Sequence, residues 1–133
     1  YDAQNNCISS NSRQRTFLLV NDVEIYGGFN GTESNINQRN IQNNPAVLSG
    51  DIGIANNNSD NVYHVMVGVN INNAVLDGLI IEKGNASGPA SANITIGGVS
   101  IAANRGGGIN LSGAGIEICQ QQFKHSNQPY RIQ

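Results

Sequence analysis

The chain has 133 residues, only 12% of them charged, and a formal net charge of −2. Its seven Lys and Arg residues are scattered, so neither nucleic acid nor an anionic membrane surface is an expected partner. No apolar run reaches the roughly 18 residues that predict a membrane-spanning segment. The length fits one domain. Because the sequence opens at Tyr1, without an initiator Met or an apolar signal segment, we expect a fragment of a longer protein.

Charged residues are scarce, whereas Asn and Gly are abundant, with 22 Asn and 16 Gly in the sequence. Both residue types disfavour long helices. Asn tolerates left-handed backbone and bonds to its own main chain, which favours tight turns. The composition therefore predicts an all-β protein made of short strands and many turns.

The first clear strand lies in "VEIYGGF" (23–29), where apolar residues alternate before Gly27-Gly28. Paired glycines after a strand are typical of phosphate sites, but no Lys followed by Ser or Thr comes after these two, so a P-loop is excluded. We predict that Gly27 and Gly28 turn a corner. We expect Phe29, which follows them, to be packed.

Further strands are predicted in "AVLSGDI" (46–52), "VYHVMVGV" (62–69), "AVLDGLI" (74–80) and "GGGINLSG" (106–113). The AVLSGDI and AVLDGLI strings match closely, which suggests that they occupy equivalent places in successive repeats. Strand-and-turn units recurring within 20–50 residues, with no helical crossovers, predict a parallel β-helix, a solenoid of stacked strands. An antiparallel β-sandwich is the alternative, although sequence repeats at this spacing are less expected in a sandwich.

The string "VEIYGGFNGTE…QRNI…NPAVLSGDIG…DNVYHV…AVLDGLIIEKGNA…GGGI", from about Arg15 to about Ser112, closely resembles a known family. It is similar to the opening coils of bacterial right-handed parallel β-helix repeat proteins. These have the pectin-lyase-like architecture and are related in style to polymorphic outer-membrane proteins. The resemblance implies the fold, and it implies secretion or outer-membrane and cell-surface location. No catalytic motif of that family maps onto this chain.

We assign residues 1–119 to β-helix coils that form a single domain. The last residues, 120–133, are Gln-rich and poor in alternation, so we expect an irregular or frayed tail there. Two cysteines do not define a disulfide framework. We expect Cys7 and Cys119 to be unpaired, because a stacked, elongated fold would not bring the chain ends together.

Three charged residues are the candidates for catalysis: Asp51, Asp77 and Lys83. In the matched repeats only one alignment position separates Asp51 from Asp77, which would bring them within a strand spacing of about 4.8 Å. Paired carboxylates serve glycoside hydrolysis. A lyase-type elimination would add Ca²⁺ and a basic group, for which Lys83 and Arg105 are the candidates. Asp beside Gly is also a common turn residue, and the turn role is favoured here.

Asp51 and Asp60 flank an oxygen-rich stretch, "DIGIANNNSDN" (51–61), and are candidates for an adventitious Ca²⁺ site. The stretch lacks the spacing and acidic count of an EF-hand loop, so a solvated loop is the favoured interpretation. His64 has no neighbouring His or Cys, and His125 lies in the expected tail, so no transition-metal site is predicted. We therefore expect no cofactor.

Two functional classes remain. The first is a non-catalytic secreted or cell-surface module for adhesion, carbohydrate contact or scaffolding, whose polar exterior suits a polysaccharide or a host or cell-surface glycan. The second is the N-terminal part of a polysaccharide lyase or glycoside hydrolase. The first is preferred, because the acidic residues are better explained as turn residues than as a catalytic pair.

Overall fold

The computed structural model describes residues 11–113, 115–119, 122–124 and 130–132 of the chain. Within these ranges the protein belongs to the all-β class, and its helical content is limited to two 3₁₀ turns at Ser12–Gln14 and Ile36–Gln38. The strands are β1 (Phe17–Leu18), β2 (Glu24–Tyr26), β3 (Ala46–Ser49), β4 (Met66–Val69), β5 (Ala74–Asp77), β6 (Leu79–Glu82), β7 (Asn93–Ile96), β8 (Val99–Ala102), β9 (Ile109–Ser112), β10 (Ile116–Cys119), β11 (Gln122–Lys124) and β12 (Tyr130–Ile132).

Most of these strands form three small parallel sheets, with the orders β1-β4-β9-β12, β10-β5-β2 and β11-β6-β3. The strands can be grouped into tiers that follow the chain. The first tier is β1, β2 and β3, the second is β4, β5 and β6, and the third is β9, β10 and β11. Each strand of one tier pairs with the corresponding strand of the next tier. An antiparallel sandwich is therefore wrong, since seven of the eight described strand pairs are parallel.

The two matching strings do not stack on each other. Ala46 of β3 pairs with Leu79 of β6, whereas Ala74 of β5 pairs with Ile116 of β10 on one side, and Val75 pairs with Glu24 of β2 on the other. The expected equivalence of residues 46–52 and 74–80 is thus wrong. Similar local sequence therefore specifies a strand in both places without specifying the sheet that the strand joins.

The main core lies among the three parallel sheets, where inward-facing side chains form columns across the tiers. Met66, Leu76 and Ile81 of the second tier are almost fully buried. Their first-tier partners in the same columns are Phe17, Ile25 and Leu48, which are exposed or only partly buried. The core is therefore covered at the second tier and open at the first.

A two-stranded antiparallel hairpin, β7–β8, interrupts the chain between the second and third tiers. Its strands alternate, so that Ile94 and Ile101 face inward and pack on Val67 of β4. Thr95 and Ser100, paired across the hairpin, face outward. The sequence predicts no strand between residues 80 and 106, so this hairpin is an element that local pattern did not reveal.

The turns behave as the composition predicts. Asn56, Asn70 and Asn73 all have positive φ, the left-handed conformation that Asn tolerates. Gly27 approaches the carbonyl of Gly78 so closely that a Cβ atom would collide with it, and Gly28 has a φ of 98°. These two glycines therefore turn a corner, as predicted. Phe29 is exposed, so the expectation that it is packed is wrong.

Within the stretch expected to be an irregular tail, 120–133, the structure describes two strands. β11 continues the sheet of β6, and β12 continues the sheet of β9. Cys7 lies outside the described residues, and so does His125, so the expectation that Cys7 and Cys119 are unpaired stays a prediction. In the described part of the chain no helix has the length and apolar character needed to cross a bilayer.

Candidate functional site

Asp51 and Lys83 meet at one end of the β3–β6 pair. β3 and β6 run parallel with Ser49 opposite Glu82, so the residues that follow them emerge side by side. The ammonium Nζ of Lys83 donates to Asp51 Oδ2 at 2.6 Å and to Asn56 Oδ1 at 3.0 Å. The backbone N–H of Asn56 donates to the same Asp51 oxygen at 3.0 Å. The pair thus closes the loop 51–61 on itself.

Mutual hydrogen bonding keeps both members of this pair charged. The hydrogen bond from Lys83 is the main cause that lowers the pKa of Asp51, and the Asn56 amide adds to it. The same bond raises the pKa of the Lys83 amine above its ordinary value. A catalytic base must be unprotonated, so this amine is poorly suited to that role at neutral pH.

Asp77 lies elsewhere, as the last residue of β5, in register with Tyr26 of β2. Its carboxylate Oδ2 forms an ion pair with Arg39. The Arg39 guanidinium also lies over the Tyr26 ring, 5.1 Å from its centroid, and the Tyr26 hydroxyl donates to Glu24 Oε2 at 3.0 Å. We call Glu24, Tyr26, Arg39 and Asp77 the Arg39 cluster.

The Tyr26 phenol of the Arg39 cluster is not a base at neutral pH. The hydrogen bond to Glu24 is the main cause that raises the pKa of Tyr26, so the phenol stays protonated at neutral pH. The Asp77 carboxylate is held by a cation. Of the three candidates for catalysis, the structure therefore brings Asp51 and Lys83 together, while Asp77 pairs with Arg39. Arg105, the other candidate base, is exposed, and its carbonyl accepts from Asn110 Nδ2 at 3.1 Å.

The two Ca²⁺ candidates are both turned towards the loop's own backbone. Asp60 Oδ2 accepts the N–H of Ile54 at 2.8 Å, and Asp51 Oδ2 accepts that of Asn56. The Oδ1 atom of each carboxylate is buried and has no hydrogen-bond partner within the described residues. No group of three or more His, Cys, Asp or Glu side chains in the described part of the chain is arranged to hold a metal ion.

Arg39 was missed at the sequence level, and its position depends on a short 3₁₀ turn. Asn35 begins that turn with a capping box. Its side-chain oxygen accepts the N–H of Asn37, and the side-chain oxygen of Gln38 accepts the N–H of Asn35. Arg39 follows directly and is thereby directed onto Tyr26 and Asp77. The N-x-x-Q spacing was readable in the sequence, but the partner of Arg39 lies 38 residues away.

A polar depression of about 430 Å³ lies beside the Arg39 cluster, and we call it the amide basin. It is lined by Ile36, Asn37, Arg39, Asn40, Ile41 and Gln42. The side-chain amides of Asn37 and Gln42 are exposed and make no hydrogen bond with the rest of the described structure. They are therefore available to a ligand.

A second depression, of about 250 Å³, lies at the open first-tier end of the core. It is mainly apolar and is lined by Arg15, Thr16, Phe17, Ser49, Ile52, Val62 and Val65. Val62 and Val65 of this lining are buried, whereas Phe17 is exposed and no described strand covers it. This depression is therefore an exposed end of the core rather than a formed ligand pocket.

His64 is not a strand residue but lies two positions before β4, and only 1% of its surface is exposed. Its Nδ1 lies 3.0 Å from the carbonyl oxygen of Gly106, whereas its Nε2 is buried with no partner among the described residues. Burial lowers the pKa of the imidazole, so it is neutral at neutral pH. A neutral ring donates from Nδ1 to Gly106, which makes His64 a link between the second and third tiers.

Comparison with known proteins yields no relative: no family model, no curated protein and no solved structure matches this chain. The functional argument therefore depends on the described residues themselves.

Proposed function

We propose that this chain is part of a right-handed parallel β-helix, and that it serves as a non-catalytic, secreted or cell-surface module that binds carbohydrate in the amide basin. The fold part of the proposal is supported by the tier-to-tier parallel pairing of all three sheets. Between the second and third tiers the spacing of paired residues is also near-constant, as stacked repeats require, since 66 pairs with 109, 74 with 116 and 80 with 122. Between the first and second tiers the spacing is less regular, since 17 pairs with 66, 24 with 75 and 46 with 79.

The observation that carries the binding proposal is the lining of the amide basin. Asn37 and Gln42 present unengaged amides, each with donors and an acceptor that suit sugar hydroxyls. The volume of about 430 Å³ lies within the range of about 300–1,000 Å³ that is usual for small-molecule sites. Arg39 is already bound to Asp77, so the basin offers mainly neutral polar groups, which favours a neutral glycan over a highly charged one.

The catalytic alternative, a polysaccharide lyase or glycoside hydrolase, has less support. The acidic candidates are each neutralised by a cation, Asp51 by Lys83 and Asp77 by Arg39. Glycoside hydrolysis needs two carboxyl groups that face one substrate bond. No such pair of carboxylates is formed by the contacts of Asp51 and Asp77.

Binding is tested by titrating the protein with a panel of neutral and acidic polysaccharides in affinity electrophoresis, followed by calorimetry on the oligosaccharides of any ligand found. The double variant Asn37→Ala/Gln42→Ala should bind about 10- to 30-fold more weakly, because two hydrogen bonds of roughly 1 kcal/mol each are lost. Asn93→Ala removes an exposed amide from the hairpin and is the matched control. It should leave the affinity unchanged.

Two outcomes would count against the proposal. One is equal loss of binding in the double variant and in the Asn93→Ala control, which would place the ligand outside the amide basin. The other is polysaccharide turnover, with or without Ca²⁺, that is abolished by Asp77→Ala. That result would establish the catalytic alternative.

A further inference from the structure

The turn Asn30–Gly31–Thr32–Glu33 has a hydrogen-bond pattern that the proposed carbohydrate binding does not explain. Among the 22 Asn of the sequence, Asn30 alone is followed by Gly. Both residues are exposed, and a Cβ placed on Gly31 would have no atom within 4 Å. The Asn30–Gly31 peptide is therefore open to solvent and unobstructed by a side chain.

The Glu33 carboxylate is folded back onto the N–H groups of this turn. Its Oε2 accepts the N–H of Gly31 at 2.9 Å and that of Thr32 at 3.0 Å, and its Oε1 accepts the N–H of Asn30 at 2.9 Å. These hydrogen bonds, chiefly the one from the Asn30 N–H, lower the pKa of Glu33, so its carboxylate is a weak base that can act on the Gly31 N–H only through this direct contact. Asn30-Gly31 is the one Asn-Gly pair in the sequence, and the backbone N–H of its glycine donates to the Glu33 carboxylate.

The side-chain carbonyl oxygen of Asn30 accepts hydrogen bonds from Thr32. Asn30 Oδ1 accepts the hydroxyl of Thr32 at 2.6 Å, and it shares the N–H of Thr32, at 2.9 Å, with Glu33 Oε2. Two donors on one carbonyl oxygen stabilise negative charge that develops there, as in an oxyanion hole. The turn therefore combines a base at the nitrogen with donors at the neighbouring carbonyl.

We propose that this turn is a self-modification site, at which Asn30 converts to isoaspartate through a cyclic succinimide. The Gly31 N–H gives its proton to the Glu33 carboxylate, and the nitrogen attacks Cγ of Asn30 to form a new C–N bond. Negative charge moves to Oδ1, where the two Thr32 donors stabilise it. The Cγ–Nδ2 bond then breaks, and Nδ2 leaves as ammonia with the proton returned by Glu33.

Water completes the reaction by adding to one of the two succinimide carbonyls. The net change is the consumption of one water and the release of one ammonia, with no oxidant or reductant. Opening at one carbonyl gives aspartate, and opening at the other gives isoaspartate, which inserts a methylene into the backbone. Either product places a second carboxylate beside Glu33, so the N–H groups of the turn must be shared between two anions.

The test incubates the folded protein at neutral pH and follows peptide 27–39 by mass spectrometry, with enzymatic methylation to quantify isoaspartate. Asn58, which precedes Ser59 in an exposed loop, is the internal reference. The measured quantity is the ratio of conversion at Asn30 to conversion at Asn58. In Glu33→Gln, which keeps the side-chain size, this ratio should fall about tenfold, which is less than an evolved general base contributes.

Thr32→Val is the second variant, because it removes the hydroxyl donor and keeps the side-chain shape, and it should lower the same ratio. The ratio is compared only between variants that unfold at the same urea concentration as the unmodified protein, because unfolding would itself separate Glu33 from the Gly31 N–H. An unchanged or higher ratio in Glu33→Gln would overturn the proposal. So would equal conversion at Asn30 and Asn58 in the unmodified sequence.

Discussion

His64 shows how a single buried imidazole ties the stability of this fold to pH. One ring nitrogen donates to Gly106, and the other is buried without a described partner. Protonation would place a charge and an unsatisfied donor in the core, which is costly. The neutral ring is therefore part of the folded state.

We expect acidification to destabilise the protein through His64. Burial lowers the pKa of the folded-state imidazole, so the unfolded chain, with its ordinary pKa of about 6.5, takes up the proton first. The stabilisation is complete above about pH 6.5 and is lost as the pH falls towards the lowered folded-state pKa. Urea denaturation at pH 7.5 and at pH 5.5 should show a lower midpoint at pH 5.5. In His64→Gln that difference should shrink, and an undiminished difference would assign the effect to other groups.

The Asp51–Lys83 pair is expected to hold the loop 51–61 closed. Lys83→Met removes the ammonium that bridges Asp51 and Asn56, and it leaves the Asp51 carboxylate without its cation. Hydrogen exchange at the Asn56 amide should become faster, and limited proteolysis should cut the loop sooner. Arg105→Met, which removes an exposed cation elsewhere, should change neither. Equal protection of the Asn56 amide in both variants would show that the loop closes without the pair.

At the scale of strands, the sequence locates the elements better than it pairs them. The predicted strand segments around residues 25, 48, 62–69, 76 and 109 coincide with β2, β3, β4, β5 and β9. Alternation and turn residues are local properties, so they can be read from the chain directly. Pairing depends on the lengths of the connecting segments, and these vary too much for the matching strings to reveal it.

The ion pairs of the candidate site could be predicted from the sequence only as far as the pairing of the strands that carry them. Asp51 and Lys83 were both singled out, and they form an ion pair because β3 and β6 happen to be neighbours. Asp77 was assigned to the same group on the mistaken stacking of β3 and β5. Its actual partner, Arg39, follows a turn whose capping box is local but whose contact with Asp77 is not.

The β7–β8 hairpin should depend on the apolar contact that it makes with β4. Ile101 is 3% exposed and packs with Ile94 and Val67. Ile101→Ala should lower the free energy of unfolding by about 2–5 kcal/mol, the usual range for such a truncation in a core. Ser100→Ala, on the outward face of the same strand, should change it by less than about 0.5 kcal/mol. Urea denaturation at pH 7.5 measures both, and similar values would mean that the hairpin is not packed on β4.

For the whole molecule, the main asymmetry is between the covered and the open ends of the core. Phe17 is 53% exposed, whereas Met66, the next residue in its column, is 1% exposed. The strands β1, β2 and β3 also end their sheets, so their outer edges carry backbone groups with no strand partner among the described residues. The first-tier end is thus both apolar and unpaired.

This end should bind an apolar fluorescent dye in the native state. Phe17→Ser should lower the native-state fluorescence enhancement of anilinonaphthalene sulfonate, because it removes the largest exposed side chain of the apolar depression. Ile54→Ser is the matched control, since Ile54 is 68% exposed in the loop 51–61 and lies away from that depression. A larger loss with Ile54→Ser would locate the dye in the loop and contradict the open-end interpretation.

The two Ala-Val-Leu strands have a consequence for how the chain reaches its native state. Ala46–Leu48 and Ala74–Leu76 present the same three side chains, yet one belongs beside β6 and the other between β2 and β10. Because the local sequence is the same, only the rest of the fold distinguishes the two places beside β2 and β6. A misplaced string would have to leave before the tiers close, so we expect exchange between these two places to slow folding.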